Sequence, residues 1–209
     1  MKNYTRIVGR IIADLKESPH VELARGHTAE GTGRGYITNF LKNHGFVASE
    51  PYLDFYSAVD YVDVEWAVRD DAVKRLSLGQ NMGVTGRINI PSFETVINDI
   101  GSADYWFNAV WREYASANGL PEERPFIPFD FFDSDTSGCA CLSTDGGRIG
   151  PDVLYFDHQI GPHTLGVALP EYVERLSETR GIYGWQRALL SDKGRHAKEV
   201  GVALARLFG

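Results

Sequence analysis

Cysteine is scarce in this sequence, which has only Cys139 and Cys141 among its 209 residues. One residue separates them, so a disulfide framework is excluded and a bridge between the two would be strained. On a strand, both side chains would share one face, where small apolar groups pack well. Reduced thiols are typical of the cytosol, and the sequence therefore predicts a cytoplasmic protein.

Basic residues are also few, with 21 lysines and arginines against 28 aspartates and glutamates, and the formal net charge is −7. A nucleic-acid-binding protein normally carries a basic footprint, so this balance argues against direct nucleic-acid binding. It also disfavours anionic membrane surfaces. A basic protein partner suits an acidic surface better, although acidity that serves only solubility explains the same balance.

Long apolar runs are absent, since no stretch approaches the roughly 18 residues that a membrane-spanning helix needs. The N-terminal segment, MKNYTRIVGRIIADLKE, is amphipathic and carries charges throughout. It therefore lacks the apolar core of a signal peptide, and no membrane association is expected.

Apolar residues are nevertheless plentiful at 43%, and their spacing predicts several helices. The first is expected over residues 3–17, with Asn3 as its cap and Ser18-Pro19 as its end. The polar, glycine-rich stretch from His20 to Gly35 is expected as a loop. Further helices follow from similar spacing and capping: about 36–43, a short one from Pro51, one after Ser92, about 103–117, 170–179 and 194–208.

Short alternating runs predict the strands. Tyr61–Trp66 and Gly86–Ile90 each alternate apolar with polar residues. From Phe126 onward, four runs separated by Asp, Ser and Gly turns predict an antiparallel meander: PFIPFDFF, CACLST, DVLYFDH and HTLGVAL. No internal repeat or clear boundary interrupts the chain, so the order of elements indicates one α+β domain over residues 1–209, not a doubly wound parallel sheet.

Two loop motifs are candidate ligand sites. The turn Asp133–Gly138 begins like an EF-hand calcium loop, but the twelfth position is Thr144 where a bidentate Glu is needed. An acidic turn between two strands is the preferred interpretation. The stretch Gly31–Gly35 precedes a helix but matches neither the Rossmann fingerprint nor the P-loop, which favours a surface loop over a phosphate site.

Catalytic and metal motifs are equally weak. The six histidines lack the spacing of a zinc site, although His158 and His163 flank one turn and could meet across it. No GxSxG elbow is present, and Cys139 and Cys141 lie in an apolar run that favours inert, packed thiols. The sequence therefore assigns no catalytic residue, no metal and no cofactor.

The segment from Phe126 onward resembles a known family. It reads FIPFDFFDSDTSGCACLS, then DVLYFDH, then GVALPEYVERL, and it follows EPYLDFYSAVDYVDVEW and GRINIPSFETVI. This pattern is similar to the SUKH superfamily, which contains Smi/Knr-type cell-wall regulators and many bacterial immunity proteins. The resemblance covers about residues 36–179, with the helices at about 3–17 and 194–208 as extensions. Two departures are Gly138-Cys139 in place of Gly-Asp, and Val59-Asp60-Tyr61 in place of Asn-Gly-Gly.

The resemblance implies a mixed, mainly antiparallel sheet flanked by helices, and a non-enzymatic binding role. Many members look like immunity proteins that neutralise a toxin, often a nuclease, by direct binding. An acidic surface fits a basic toxin domain. The candidate partner-binding residues are those of the acidic edge, with Tyr155 as an exposed aromatic: Asp130, Asp133, Asp135, Asp145, Asp152, Tyr155 and Asp157. The alternative is that these aspartates only keep their turns soluble.

Two other functions remain open. One is a regulatory or scaffolding SUKH protein that binds an endogenous partner. The other is a metal-dependent hydrolase that uses the Asp-rich edge as general acid and base, although nothing in the sequence singles out one carboxylate pair.

Overall fold

The strands of the protein pair into two sheets, with helices packed against both. The structure, a computed structural model, describes residues 3–76, 78, 84–100, 106–132, 138–190 and 195–209. Its elements run in this order: α1 (Tyr4–Glu17), β1 (Val21–Glu30), α2 (Arg34–Asn43), β2 (Val47–Ala48), α3 (Glu50–Ala58), β3 (Val59–Val68), α4 (Asp70–Arg75), β4 (Thr85–Ile90), α5 (Phe93–Ile100), α6 (Trp106–Asn118), β5 (Phe126–Asp130), β6 (Gly138–Asp145), β7 (Arg148–Asp157), β8 (Gly161–Ala168), α7 (Leu169–Thr179), α8 (Trp185–Leu190) and α9 (Arg195–Phe208).

The first sheet is three-stranded and antiparallel, in the order β1-β3-β4. Alternation in β3 decides its faces, because Val62, Val64 and Trp66 are buried in the core while Ala67 is exposed. The Trp66 indole donates to the carbonyl of Arg180 at 2.8 Å. Gly86 of β4 is necessary beside this ring, since a Cβ there would lie 2.1 Å from the indole nitrogen.

The second sheet has five strands and contains the predicted meander. Strands β5, β6, β7 and β8 pair with their sequence neighbours in antiparallel fashion. The short strand β2 pairs in parallel with the start of β7, where Val47 lies opposite Arg148. The α+β class and the mixed, mainly antiparallel pairing are therefore confirmed.

Both faces of the five-stranded sheet are covered. Ala140, Leu142 and Val153 belong to the main hydrophobic core, which α3 and α7 share. The opposite face carries the Cys139 and Cys141 side chains, which pack with the aromatic residues of α6 in a second cluster. Helices on both faces bury most of the central side chains of this sheet, which decides the exposure of several residues discussed below.

The two terminal helices pack against the main core. Helix α1 buries one face, which includes Val8, Ile11 and Leu15. Asn3 caps it as predicted, accepting the Arg6 backbone N–H at 3.0 Å. From α9, Ala203 and Leu207 enter the same core.

The expectation of a loop from His20 to Gly35 is wrong, because Val21–Glu30 forms strand β1. This strand is polar and mostly exposed, so it lacks the apolar alternation that identifies strands in a sequence. Its pairing with β3 overrides that weak local preference. The short elements β2, α4 and α8 were also not predicted.

A helix that spans a bilayer must be about 20 residues long and predominantly apolar. None of the helices over the described residues is both long enough and apolar enough to span a membrane.

Candidate functional site

An open cleft of about 840 Å³ lies where α6, the segment 119–125 and the β6–β7 turn meet. Its floor is formed by aromatic side chains, among them Trp111 of α6 and Phe126 of β5. Both rings are about 2% exposed, so they give the cleft a firm base without offering a large apolar surface. Charged side chains surround this floor.

One wall of the cleft is the chain that leaves α6. Gly119 ends this helix with φ at +66°, a left-handed conformation that glycine adopts without strain. The Leu120 N–H then donates to the Ala115 carbonyl at 2.8 Å. The Trp111 indole donates to the Glu122 carbonyl, also at 2.8 Å, and ties the segment to the floor.

The other wall is the turn between β6 and β7. Gly146 and Gly147 both have positive φ, +51° and +78°, as a two-residue type I′ hairpin requires. The Gly147 carbonyl accepts the Val47 N–H at 2.9 Å, which fixes β2 beside the turn. A Cβ at Gly147 would lie 2.6 Å from the Gly45 carbonyl oxygen, so the two backbones approach as closely as glycine permits.

The charged side chains at the cleft differ in their contacts. Three exposed carboxylates, those of Glu122, Glu123 and Asp145, form no ion pair with any described residue. The Arg124 guanidinium, in contrast, is half-buried and lies 5.0 Å from the centre of the Phe107 ring. The exposed Arg112 also lines the cleft, so the solvent-facing rim carries three acidic residues against one basic residue, an excess of two negative charges.

Two exposed apolar side chains are close to the cleft along the chain. Leu120 is 42% exposed and precedes Pro121, and Val47 is 58% exposed and follows Phe46. Most apolar side chains of this size are buried in the protein, so these two leave apolar surface beside the charged rim.

Of the predicted partner-binding residues that the structure describes, Asp145 alone lines the cleft. Asp152 is exposed on β7 but does not line it. Asp133 and Asp135 lie outside the described residues, as does most of the EF-hand-like turn.

The expectation that Tyr155 and Asp157 are at the surface is wrong, since they are 1% and 3% exposed. Their side chains lie beneath the helices that cover the five-stranded sheet, where Arg187 of α8 contacts them. Arg187 donates to the Asp157 carboxylate at 2.6 Å and to the Tyr155 hydroxyl at 2.7 Å. The Gln159 N–H donates to the other Asp157 oxygen at 2.8 Å. These residues anchor α8 to β7.

The expectation that Asp130 is at the surface is also wrong, because its side chain is fully buried. Tyr172 of α7 donates to Oδ2 at 2.7 Å, and the Asn89 backbone N–H donates to Oδ1 at 3.0 Å. The Gln186 amide in turn donates to the Tyr172 hydroxyl at 3.2 Å. The acid therefore belongs to an internal network that joins β4, β5, α7 and α8.

Burial changes the acidity of this network. Desolvation raises the pKa of Asp130 to about 6, against the opposing effects of the Tyr172 and Asn89 hydrogen bonds and the Arg87 charge. Desolvation also raises the pKa of Tyr155 to about 12, although the Arg187 hydrogen bond and charge favour the phenolate. Neither group is in contact with solvent.

The thiols match the prediction of packed cysteines. Cys139 and Cys141 are fully buried, with their sulfur atoms 3.4 Å apart. Burial raises the pKa of the Cys139 thiol well above its usual value. His158 and His163 take up other contacts, and within the described ranges no three His, Cys, Asp or Glu side chains are grouped as a metal site requires.

Sequence reasoning missed most of the cleft and all the partners of the buried acids. The residues that line the cleft come from segments near positions 45, 111, 123 and 146, which only the fold brings together. One local signal was available, because the run Pro121–Pro125 is charged, carries two prolines and lies between a helix end and a strand. Tyr172, Gln186 and Arg187 gave no comparable signal.

The sequence was also compared with models of known protein families and with curated proteins, and neither comparison returned a match. Membership of the SUKH superfamily therefore stays a prediction.

Proposed function

We propose that this chain is a non-enzymatic protein-binding domain whose cleft holds a basic segment of a protein partner. The observation that carries the proposal is the set of three exposed carboxylates, Glu122, Glu123 and Asp145, which form no ion pair with a described residue and lie around a firm aromatic floor. They come from separate wall segments that backbone hydrogen bonds fix in place. Such a preformed site can bind with little loss of conformational entropy.

The composition of the cleft supports a protein partner over a small metabolite. Protein interfaces combine a packed centre, often aromatic, with a polar rim that sets orientation and association rate. Here the rim is acidic, and exposed Leu120 and Val47 extend it with apolar surface. The chain's net charge of −7 favours the same kind of partner at long range.

We further propose that the partner is a toxin domain and that the chain is its immunity protein. The support is the resemblance of residues 36–179 to the SUKH superfamily, together with the match between an acidic cleft and a basic, nuclease-like surface. Occupation of that surface would exclude the toxin's own anionic substrate. Each of these arguments is independent of any catalytic group in this chain.

The test is a pull-down from the native cells with three tagged proteins. The first is unmodified, the second carries Glu122→Lys and Asp145→Lys, and the third carries Glu17→Lys and Asp71→Lys as a control of equal charge on exposed helical positions outside the cleft. We expect one basic partner to be retained by the first and third, and its affinity for the second to fall at least about ten-fold.

The outcomes separate the alternatives. Equal retention by all three proteins would remove the cleft from the function. If the partner that depends on the cleft is a housekeeping protein and deletion causes no toxin sensitivity, the chain is a regulatory or scaffolding protein and the immunity proposal fails. A stoichiometric metal ion in the purified protein, with hydrolytic activity that depends on it, would revive the hydrolase alternative.

A further inference from the structure

Strand β1 is an edge strand of the three-stranded sheet. Over the ranges that the structure describes, its ten residues pair with β3 alone. It contains no proline, the residue that most directly blocks the pairing of an edge. Among the described residues, one long side of this strand therefore has no strand partner.

The hydrogen bond from the Val68 N–H to the Val84 carbonyl identifies the backbone groups on that side. Because these two residues bond each other, the even-numbered residues of β3 bond β4 and the odd-numbered ones bond β1. Four β1 residues lie opposite even-numbered β3 residues and therefore direct their N–H and C=O groups outward: Val21, Leu23, Gly26 and Thr28.

The outward-facing backbone groups of β1 form a row that is interrupted near both ends of the strand. At the start, the Arg69 guanidinium donates to the Val21 carbonyl at 3.0 Å and occupies that acceptor. A register shift between Leu23 and Arg25 follows, and another lies between Ala29 and Glu30. The regular part, which includes Gly26 and Thr28, is long enough for a short extended segment.

Charge indicates which segment would fit. Strands β1 and β3 contain five acidic residues and one basic residue, an excess of four negative charges: Glu22, Glu30, Asp60, Asp63 and Glu65 against Arg25. Arg25 is already engaged, since it bonds Glu65 and lies 3.4 Å from the Asp63 carboxylate. An incoming basic strand would lie beside Glu22 and Glu30 of β1, which are exposed and form no ion pair with any residue that the structure describes.

We propose that an extended, basic segment of a protein partner pairs with β1 and adds a fourth strand to this sheet. Backbone hydrogen bonds to Leu23, Gly26 and Thr28 would supply affinity without a sequence requirement, and the acidic strands would select for lysine and arginine. This surface is separate from the cleft, so the inference holds whether or not the cleft binds a partner.

A second copy of the chain is the less suitable occupant. An antiparallel copy centred on Gly26 would place Glu22 of each chain opposite Glu30 of the other. Like charges directly opposite on paired strands are destabilising. The acidic edge thus disfavours pairing with a second copy of β1 and favours pairing with a basic strand.

The probe is a ten-residue peptide that alternates lysine with valine and threonine, compared with a glutamate-for-lysine version of the same peptide. Titration of the intact protein, followed by residue-resolved amide exchange, tests both affinity and geometry. We expect the lysine peptide to bind and to slow exchange at Leu23, Gly26 and Thr28. The amides of Arg25 and His27, which already face β3, serve as internal references.

Thr28→Pro removes one outward N–H without touching the bonds to β3, and Thr28→Val keeps that N–H as the matched control. We expect the proline variant to bind the lysine peptide at least about five-fold more weakly and the valine variant to bind normally. Glu22→Lys with Glu30→Lys should weaken binding similarly, which keeps the proposal testable if the proline variant does not fold.

Three results would overturn the proposal: equal binding of both peptides, no slowing of exchange at the outward amides, or binding that the cleft variant Glu122→Lys/Asp145→Lys abolishes while the β1 variants do not. Concentration-dependent protection of the same amides without peptide would identify a second copy as the occupant instead.

Discussion

The Asp130 carboxylate accepts the backbone N–H of Asn89 at 3.0 Å, and this bond connects the two sheets of the protein. The next residue repeats the link, because the Phe131 N–H donates to the Asn89 carbonyl at 2.8 Å. With Tyr172 on its second oxygen, the acid holds β4 and α7 to the end of β5. An acidic residue is therefore built into the core as a structural connector.

Asp130→Asn should change how stability depends on pH. The folded pKa is about 6 and the unfolded value about 3.9, so the folded state binds the proton more tightly. The stability that Asp130 contributes is thus fully present below about pH 4 and is lost as pH rises through about 6, by on the order of 3 kcal/mol. Urea unfolding between pH 4 and 8 should show that loss in the unmodified protein relative to the asparagine variant; parallel profiles would contradict it.

Arg187→Met should destabilise the fold by about 2 kcal/mol, because it removes the cationic donor shared by the buried Asp157 carboxylate and the Tyr155 hydroxyl, although the Gln159 N–H still donates to Asp157. The matched control is Arg175→Met, whose guanidinium forms exposed pairs with Glu171 and Glu178. That change should cost less than about 0.5 kcal/mol. Chemical denaturation of both variants provides the comparison, and equal losses would show that the internal pair contributes nothing special.

Gly147→Ala and Gly146→Ala form a pair that tests the cleft wall. Both positions have positive φ, which alanine adopts at a cost of about 1 kcal/mol. Only at Gly147 would the new Cβ also meet the Gly45 carbonyl, at 2.6 Å. We expect Gly147→Ala to lose at least about 1 kcal/mol more than Gly146→Ala and to weaken binding of the cleft partner. Thermal unfolding measures the first effect and calorimetric titration of the partner the second.

The two thiols should be unreactive in the folded protein. Cys139 and Cys141 have no exposed surface, and burial holds the pKa of the Cys139 thiol well above its usual value, so almost no thiolate meets solvent. An aromatic disulfide reagent at pH 8 should modify both thiols within minutes in 8 M urea, and at least about 100-fold more slowly without denaturant. Rapid modification of the native protein would show that the cluster beside α6 opens readily.

Much of the secondary structure follows from local patterns. Helix α1 shows the strongest case, since its apolar spacing and the Asn3 cap are both present in the structure. The four runs after Phe126 become β5 to β8 for a similar reason, because turns separate short β-type segments. In these elements the local preference and the tertiary environment agree.

Strand β1 is an element that local sequence patterns do not predict. Its sequence, VELARGHTAE, is polar with one glycine, and the strand exists because β3 offers it a complete row of backbone partners. No local pattern encodes that pairing, since its energy comes from residues some forty positions away.

The amino-acid sequence alone determined the charge, the scarcity of thiols, the α+β class and most helices and strands, because these depend on composition and on neighbours within a few residues. Only the tertiary structure decided which acids reach solvent. Covering both faces of the five-stranded sheet buried Asp130, Tyr155 and Asp157, whereas Asp145 stayed exposed at a hairpin turn. The cleft likewise exists only in three dimensions, because its walls come from segments that chain folding, not sequence proximity, brings together.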